Sequence, residues 1–302
     1  MTNVAAVEGS SAGPERGRGS VYLELIKPRI VTMVVLTVLV GYLAVTGLHD
    51  FEIAALLHVI IGTCLSCSGA GALNQYLERS SDGLMARTRF RPLPAQLISE
   101  KSGMAFGLVT SIVGVGYLLA FVNPAAALVN TITLGSYLAI YTPLKKSSSL
   151  STLIGAIPGA LPPVIGCAAA GDALGRESLL LFSILFLWQV PHFLAIGLLH
   201  RDDYRAAGFP TLQGIDSDGS ASGRQMVLYS AALLPVTLAV GSAGYSGPVF
   251  FICALVFGLA YLAASVSAAK NPSQLEARRL LLCSVAYLPL LLASYLLDRV
   301  AT

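Results

Sequence analysis

The chain has 302 residues, of which 55% are hydrophobic and only 12% charged, against about 25% charged in soluble domains. A formal net charge of +3 gives no broad basic field for nucleic acid. An ordinary soluble domain is excluded, and the composition specifies an all-α polytopic bundle in a lipid bilayer.

Residues 1–20 are rich in Gly, Ser and charge and contain no continuous apolar core. They read as a disordered cytoplasmic tail ahead of a transmembrane domain over 21–302, and Glu8 and Glu15 argue against a transit peptide. Nine apolar segments follow, each near the ~20 residues a spanning helix needs. They cover about 26–46, 53–76, 104–122, 125–142, 150–170, 178–198, 226–243, 248–268 and 279–297. With the N-terminus in the cytoplasm, 17 of the 19 Lys and Arg residues fall on the cytoplasmic side, leaving Arg176 and Arg299 outside. This distribution obeys the positive-inside rule and predicts a multi-pass protein of the cell membrane whose polar clusters open on the cytoplasm.

The end of the second segment carries the densest polar stretch, NQYLERSSDGLMARTRFRPLP over 74–94. Asn74, Glu78 and Asp82 are four residues apart, so a helix turns each only about 40° from the last, along roughly 12 Å of one face. Arg87, Arg89 and Arg91 follow directly. Carboxylate and amide oxygens suit the hard Mg²⁺ ion, and guanidinium groups suit phosphate. A magnesium-bound diphosphate site is therefore expected here; the plain alternative is a polar helix end with snorkelling arginines. The fourth segment ends in YTPLKK over 141–146, where Lys145 and Lys146 either complete the anion site or mark the membrane boundary.

The fifth segment carries Pro158, Pro162 and Pro163, which predicts an irregular wall packed against other helices. The sixth leads into WQVPHFLAIGLLHRDDYRAAGFP over 188–210, four segments after the first polar stretch, a spacing consistent with a parallel four-helix repeat. Asp203, with Asp202 beside it, is expected to add oxygens to the same metal shell, unless both are solvated loop acids. His192 lies within the apolar run after Pro191, where an ionisable side chain points to a cavity, a haem or a partner helix. On a continuous helix it lies roughly 16 Å deeper than Asp203. His200 and His58 lie nearer the interfaces. The five cysteines all fall in apolar segments; Cys64 and Cys67 form a C-x-x-C without a second pair, so neither zinc nor a disulfide is expected.

Taken together, N-x-x-x-E-x-x-x-D, RTRFRPLP, YTPLKK, PHF and DDYRAAGFP resemble the UbiA-type intramembrane prenyltransferases, over about residues 20–300. Within them the chain looks most like the haem-farnesylating branch. Gln75 stands after Asn74 where the wider superfamily begins with Asn-Asp, and the second acidic pair is compressed to Asp202 and Asp203. The resemblance implies about nine helices around a central cavity and transfer of farnesyl from farnesyl diphosphate to a vinyl group of haem B, with water added. It implies Mg²⁺ held by Asn74, Glu78, Asp82 and Asp203, diphosphate bound by Arg87, Arg91 and Lys145, and haem bound by His192. Haem A synthase and oxidase assembly factors are the protein partners it suggests. A quinone precursor or other aromatic acceptor is the alternative within the family, and a membrane transporter the alternative outside it.

Overall fold

The computed structural model describes residues 17–301 apart from 217 and 243. Residues 1–16 of the expected tail lie outside the described residues, and a short amphipathic helix α1 (Arg18–Leu25) already begins within its last residues. Then come α2 (Pro28–Thr46), α3 (Ile53–Asp82) and α4 (Glu100–Phe121). Helix α5 (Pro124–Gly135) runs through a π-helical turn at Ser136–Tyr141 into α6 (Thr142–Leu144). A single span is broken into α7 (Ser151–Ala160) and α8 (Pro162–Ala169), and α9 (Arg176–Leu199) follows. The short α10 (Arg201–Ala206) and α11 (Leu212–Ile215) precede α12 (Ser220–Ser242), α13 (Pro248–Lys270) and α14 (Gln274–Ala301). Among the described residues nine spans are long and apolar enough to cross a membrane, and no strand is present.

The helix starts are written locally. Pro28, Pro124, Pro162 and Pro248 stand in the first turns, where a missing N–H costs nothing. Ser99 caps α4 through the Ser102 N–H, and Asn123 caps α5 through that of Ala126. The break at Leu161 falls where Pro162 and Pro163 remove two consecutive donors, which gives the expected irregular wall.

Packing follows membrane rules. The α3–α4 seam, the most extensive in the molecule, is built on Gly62, Gly69, Gly107 and Gly114. A Cβ on Gly69 would stand 2.6 Å from the Gly107 carbonyl oxygen, so these backbones meet at a distance only glycine permits. Helices α2 and α8 meet in the same way at Gly41 and Gly166. The main core joins α9, α12, α13 and α14 around Leu194, Met226, Leu233, Phe250, Tyr261, Leu280 and Tyr287. Large apolar side chains such as Ile112, Val109, Ile252, Val256 and Leu282 point outward, as a lipid-facing surface requires.

Candidate active site

Helix α3 continues six residues past the apolar run, to Asp82, so the amide and both acids stand on one uninterrupted helix. Asn74, Glu78 and Asp82 are 3%, 3% and 1% exposed. They line a polar cavity of about 130 Å³ together with Lys27, Met85, Arg87, Arg91, Tyr137, Tyr141 and Lys145.

Each oxygen-bearing side chain faces its own cation. Lys27 Nζ donates to Asn74 Oδ1 at 2.6 Å. Lys145 Nζ donates to Glu78 Oε1 at 3.1 Å, and the Arg91 guanidinium to Asp82 Oδ2 at 2.8 Å. Arg87 also lines the cavity, which makes four cations against two carboxylates. Burial, with Arg91 nearby, lowers the Lys27 pKa to about 8. For Lys145 burial also works to discharge the amine, but Tyr141 and Glu78 outweigh it and hold the pKa above the ordinary lysine range. A cavity carrying this excess of positive charge calls for an anion. Asp82 Oδ1 is buried without a hydrogen-bond partner among the described residues. An orphaned carboxylate oxygen beside an amide and a second carboxylate fits a small hard cation such as Mg²⁺.

The surrounding elements explain the placement. Lys27 joins α1 to α2 with a left-handed φ of 53°, a conformation costing a non-glycine residue about 1 kcal/mol. The Gln75 side-chain amide donates to the Glu24 and Leu25 carbonyls, pinning α1 against α3 and setting where Lys27 emerges. Gln75 therefore acts as a strut, and it is not among the cavity residues. The π-helical turn widens the helix so that Tyr137 and Tyr141, ring-stacked at 5.6 Å, both reach the cavity. The Tyr137 carbonyl accepts both the Thr142 N–H and the Thr142 hydroxyl (2.8 Å), and that hydroxyl stands 3.4 Å from Asn74 Nδ2. On the loop after α3, Thr88 Oγ1 binds the Asp82 carbonyl at 2.9 Å, turning the chain so that Arg91 folds back over the acid.

The second polar stretch closes the mouth of the cavity instead of lining it. Asp203 Oδ1 accepts the Ala86 N–H at 3.1 Å, and Tyr204 Oη accepts from Arg87 at 3.0 Å. Lys145 lies under the Tyr204 and Phe209 rings. Asp203 is thus not among the cavity residues, although it was expected in the metal shell, and Asp202 is exposed. His200 stands 3.8 Å from Asp203, and burial together with Arg87 lowers its pKa against the opposing pull of that acid.

Other expected residues lie apart from the cavity. Arg89 stacks over Phe90, and Lys146 binds the Leu77 carbonyl. His192 sits between helices, with Nδ1 2.7 Å from Ser284 Oγ of α14, and is likewise not a cavity residue. Lys27 and Tyr137 are the site residues that the sequence motifs do not mark. The signal for Lys27 is the KPR at the start of the first span, level with the end of the second.

The UbiA prenyltransferase family profile matches residues 34–291. The chain belongs to the UbiA prenyltransferase family. It is 44% identical over 286 residues to a Protoheme IX farnesyltransferase of Solibacter usitatus, covering 92% of this chain and 98% of that one. It is 40% identical to the protein of that name from Koribacter versatilis, with 92% and 93% covered. Solved UbiA-fold structures superpose along nearly the whole chain. A digeranylgeranylglyceryl phosphate synthase does so with TM-score 0.79 at 16% identity, covering 94% of this chain and 99% of the other. A UbiA homologue from Archaeoglobus fulgidus bound to GPP and Mg²⁺ gives 0.68 at 14%, with 93% and 100% covered. The all-helical bundle is thus the UbiA fold.

Proposed function

We propose that this UbiA-family enzyme is a haem O synthase, transferring farnesyl from farnesyl diphosphate to a vinyl group of haem B with addition of water. The observation that carries the reading is the cavity where Asn74, Glu78 and Asp82 meet four cations. The names of the Solibacter and Koribacter relatives supply the acceptor. The helices are those of a multi-pass membrane protein, and the positive-inside distribution supports a cytoplasmic N-terminus and an active site opening on the cytoplasm.

In this reading Asn74, Glu78 and Asp82 hold Mg²⁺. Bound there, the ion supplies positive charge to the diphosphate as a Lewis acid. Lys27, Arg87, Arg91 and Lys145 bind the diphosphate oxygens, exchanging their present partners for phosphate. The allylic C–O bond breaks with its electron pair leaving on diphosphate, and fixed cations stabilise that charge as it develops. The vinyl π pair forms the new bond to the farnesyl carbon, water adds to the resulting carbocation, and a proton is released. Asp203 and Tyr204 hold the loop carrying Arg87 across the mouth and limit entry of stray water. His192 contacts the haem.

The test uses detergent-purified protein with haem B, farnesyl diphosphate and Mg²⁺, following the haem by mass. A product heavier by farnesyl plus water is expected, with at least a ~100-fold slower rate for Asp82→Ala and none after chelation. Diphosphate release without a modified haem would move the acceptor to another aromatic.

A further inference from the structure

A buttressed histidine, His192, stands in the last third of α9, away from the polar cavity. His192 Nδ1 lies 2.7 Å from Ser284 Oγ. The direction of that bond is fixed by the next one. Ser284 Oγ is 2.6 Å from the Leu281 carbonyl, which can only accept, so the single hydroxyl proton is committed there. Ser284 therefore turns a lone pair to His192, and Nδ1 carries the hydrogen. In a neutral imidazole Nε2 then keeps its lone pair. No hydrogen bond to Nε2 is made among the described residues, and the side chain is only partly buried.

The ring is held from other directions too. The Trp188 indole stacks on it with centroids 5.0 Å apart and planes 24° from parallel. Trp188 Nε1 donates to the Ser284 carbonyl at 2.9 Å, and Tyr261 of α13 donates to the Trp188 carbonyl at 2.8 Å. Three helices thus fix position, rotation and tautomer, leaving one nitrogen lone pair uncommitted. A metal-binding histidine needs this arrangement, with its other N–H given to a fixed oxygen.

We infer that Ser284 is a positioning residue, holding His192 in the Nδ1–H tautomer so that Nε2 is offered to the iron of haem B. The inference rests on the reading of His192 as the haem contact and adds the atom that binds and the group that prepares it. Holding the iron from one side limits where the porphyrin edge, and so the reacting vinyl group, can lie.

The experiment titrates ferric haem B into the detergent-purified full chain, reading the Soret band and the electron paramagnetic resonance spectrum. Farnesyl diphosphate affinity is measured in parallel. The wild type should show a histidine-ligated haem, and His192→Ala should lose that signature while still binding farnesyl diphosphate. Ser284→Ala should weaken haem binding about 10-fold and shift the spectrum, and Ser284→Thr should restore both. If Ser284→Ala does not fold, as its farnesyl diphosphate binding reports, Ser284→Val against Ser284→Thr makes the same comparison at constant volume. A wild-type spectrum and haem affinity without the Ser284 hydroxyl overturns the inference and leaves the His192 reading standing. A histidine signature that survives in His192→Ala overturns both.

Discussion

At the scale of single residues, the site is a set of exchanges waiting to happen. Lys27 shows how such a residue escapes notice in the sequence: it is 47 positions from Asn74, and a lysine beside the first span looks like any topology marker. Only the α1 strut and a left-handed backbone bring its amine to the cavity. Lys27→Met is expected to lower turnover about 100-fold, as loss of a preorganised charge donor does, while farnesyl diphosphate binding weakens and haem affinity is unchanged. Turnover and separate ligand titrations check it. The ladder of Asn74, Glu78 and Asp82 was legible because polar side chains at a period of four share one helix face. A bilayer tolerates such a stripe only where it meets a cavity or a partner. The place of Asp203 was not legible, since sequence does not show that the chain folds its carboxylate onto the Ala86 N–H at the cavity mouth.

At the scale of elements, glycine decides where the walls stand. The α3–α4 seam carries the site-bearing helix, and its closeness depends on Gly69 and Gly107 facing each other's backbones. Gly69→Val would force these apart, at about 1–3 kcal/mol for overpacking. The expected result is a lower thermal midpoint in detergent, although no cavity residue is changed. The proline-broken fifth span could be read in advance because proline removes donors wherever it stands. The π-helical turn at Ser136–Tyr141 could not, since one extra residue in a helical turn leaves no compositional mark.

At the scale of the whole molecule, the face away from the cavity is fastened by one cation. Arg299 near the end of α14 bonds Glu177 of α9, the Ala44 carbonyl of α2 and the Tyr245 carbonyl after α12. Arg299→Ala leaves the partly buried Glu177 carboxylate without its counter-charge, though still bonded to the Tyr295 hydroxyl, a loss of about 1–3 kcal/mol. Unfolding by heat or denaturant should shift accordingly, with farnesyl diphosphate affinity kept in the folded fraction.

The polar cavity is also small. Its volume of about 130 Å³ is well under the ~300–1,000 Å³ that encloses a drug-sized ligand. It has room for a charged headgroup and an ion, but not for fifteen carbons and a porphyrin as well. On this reading the hydrocarbon parts of both reactants lie outside the polar cavity, among the helices or in the lipid phase. For such an enzyme the meaningful concentration is two-dimensional: moles of substrate per mole of amphiphile. Diluting the assay with detergent at fixed bulk substrate should slow the reaction, and adding buffer at a fixed substrate-to-detergent ratio should leave the specific rate nearly unchanged.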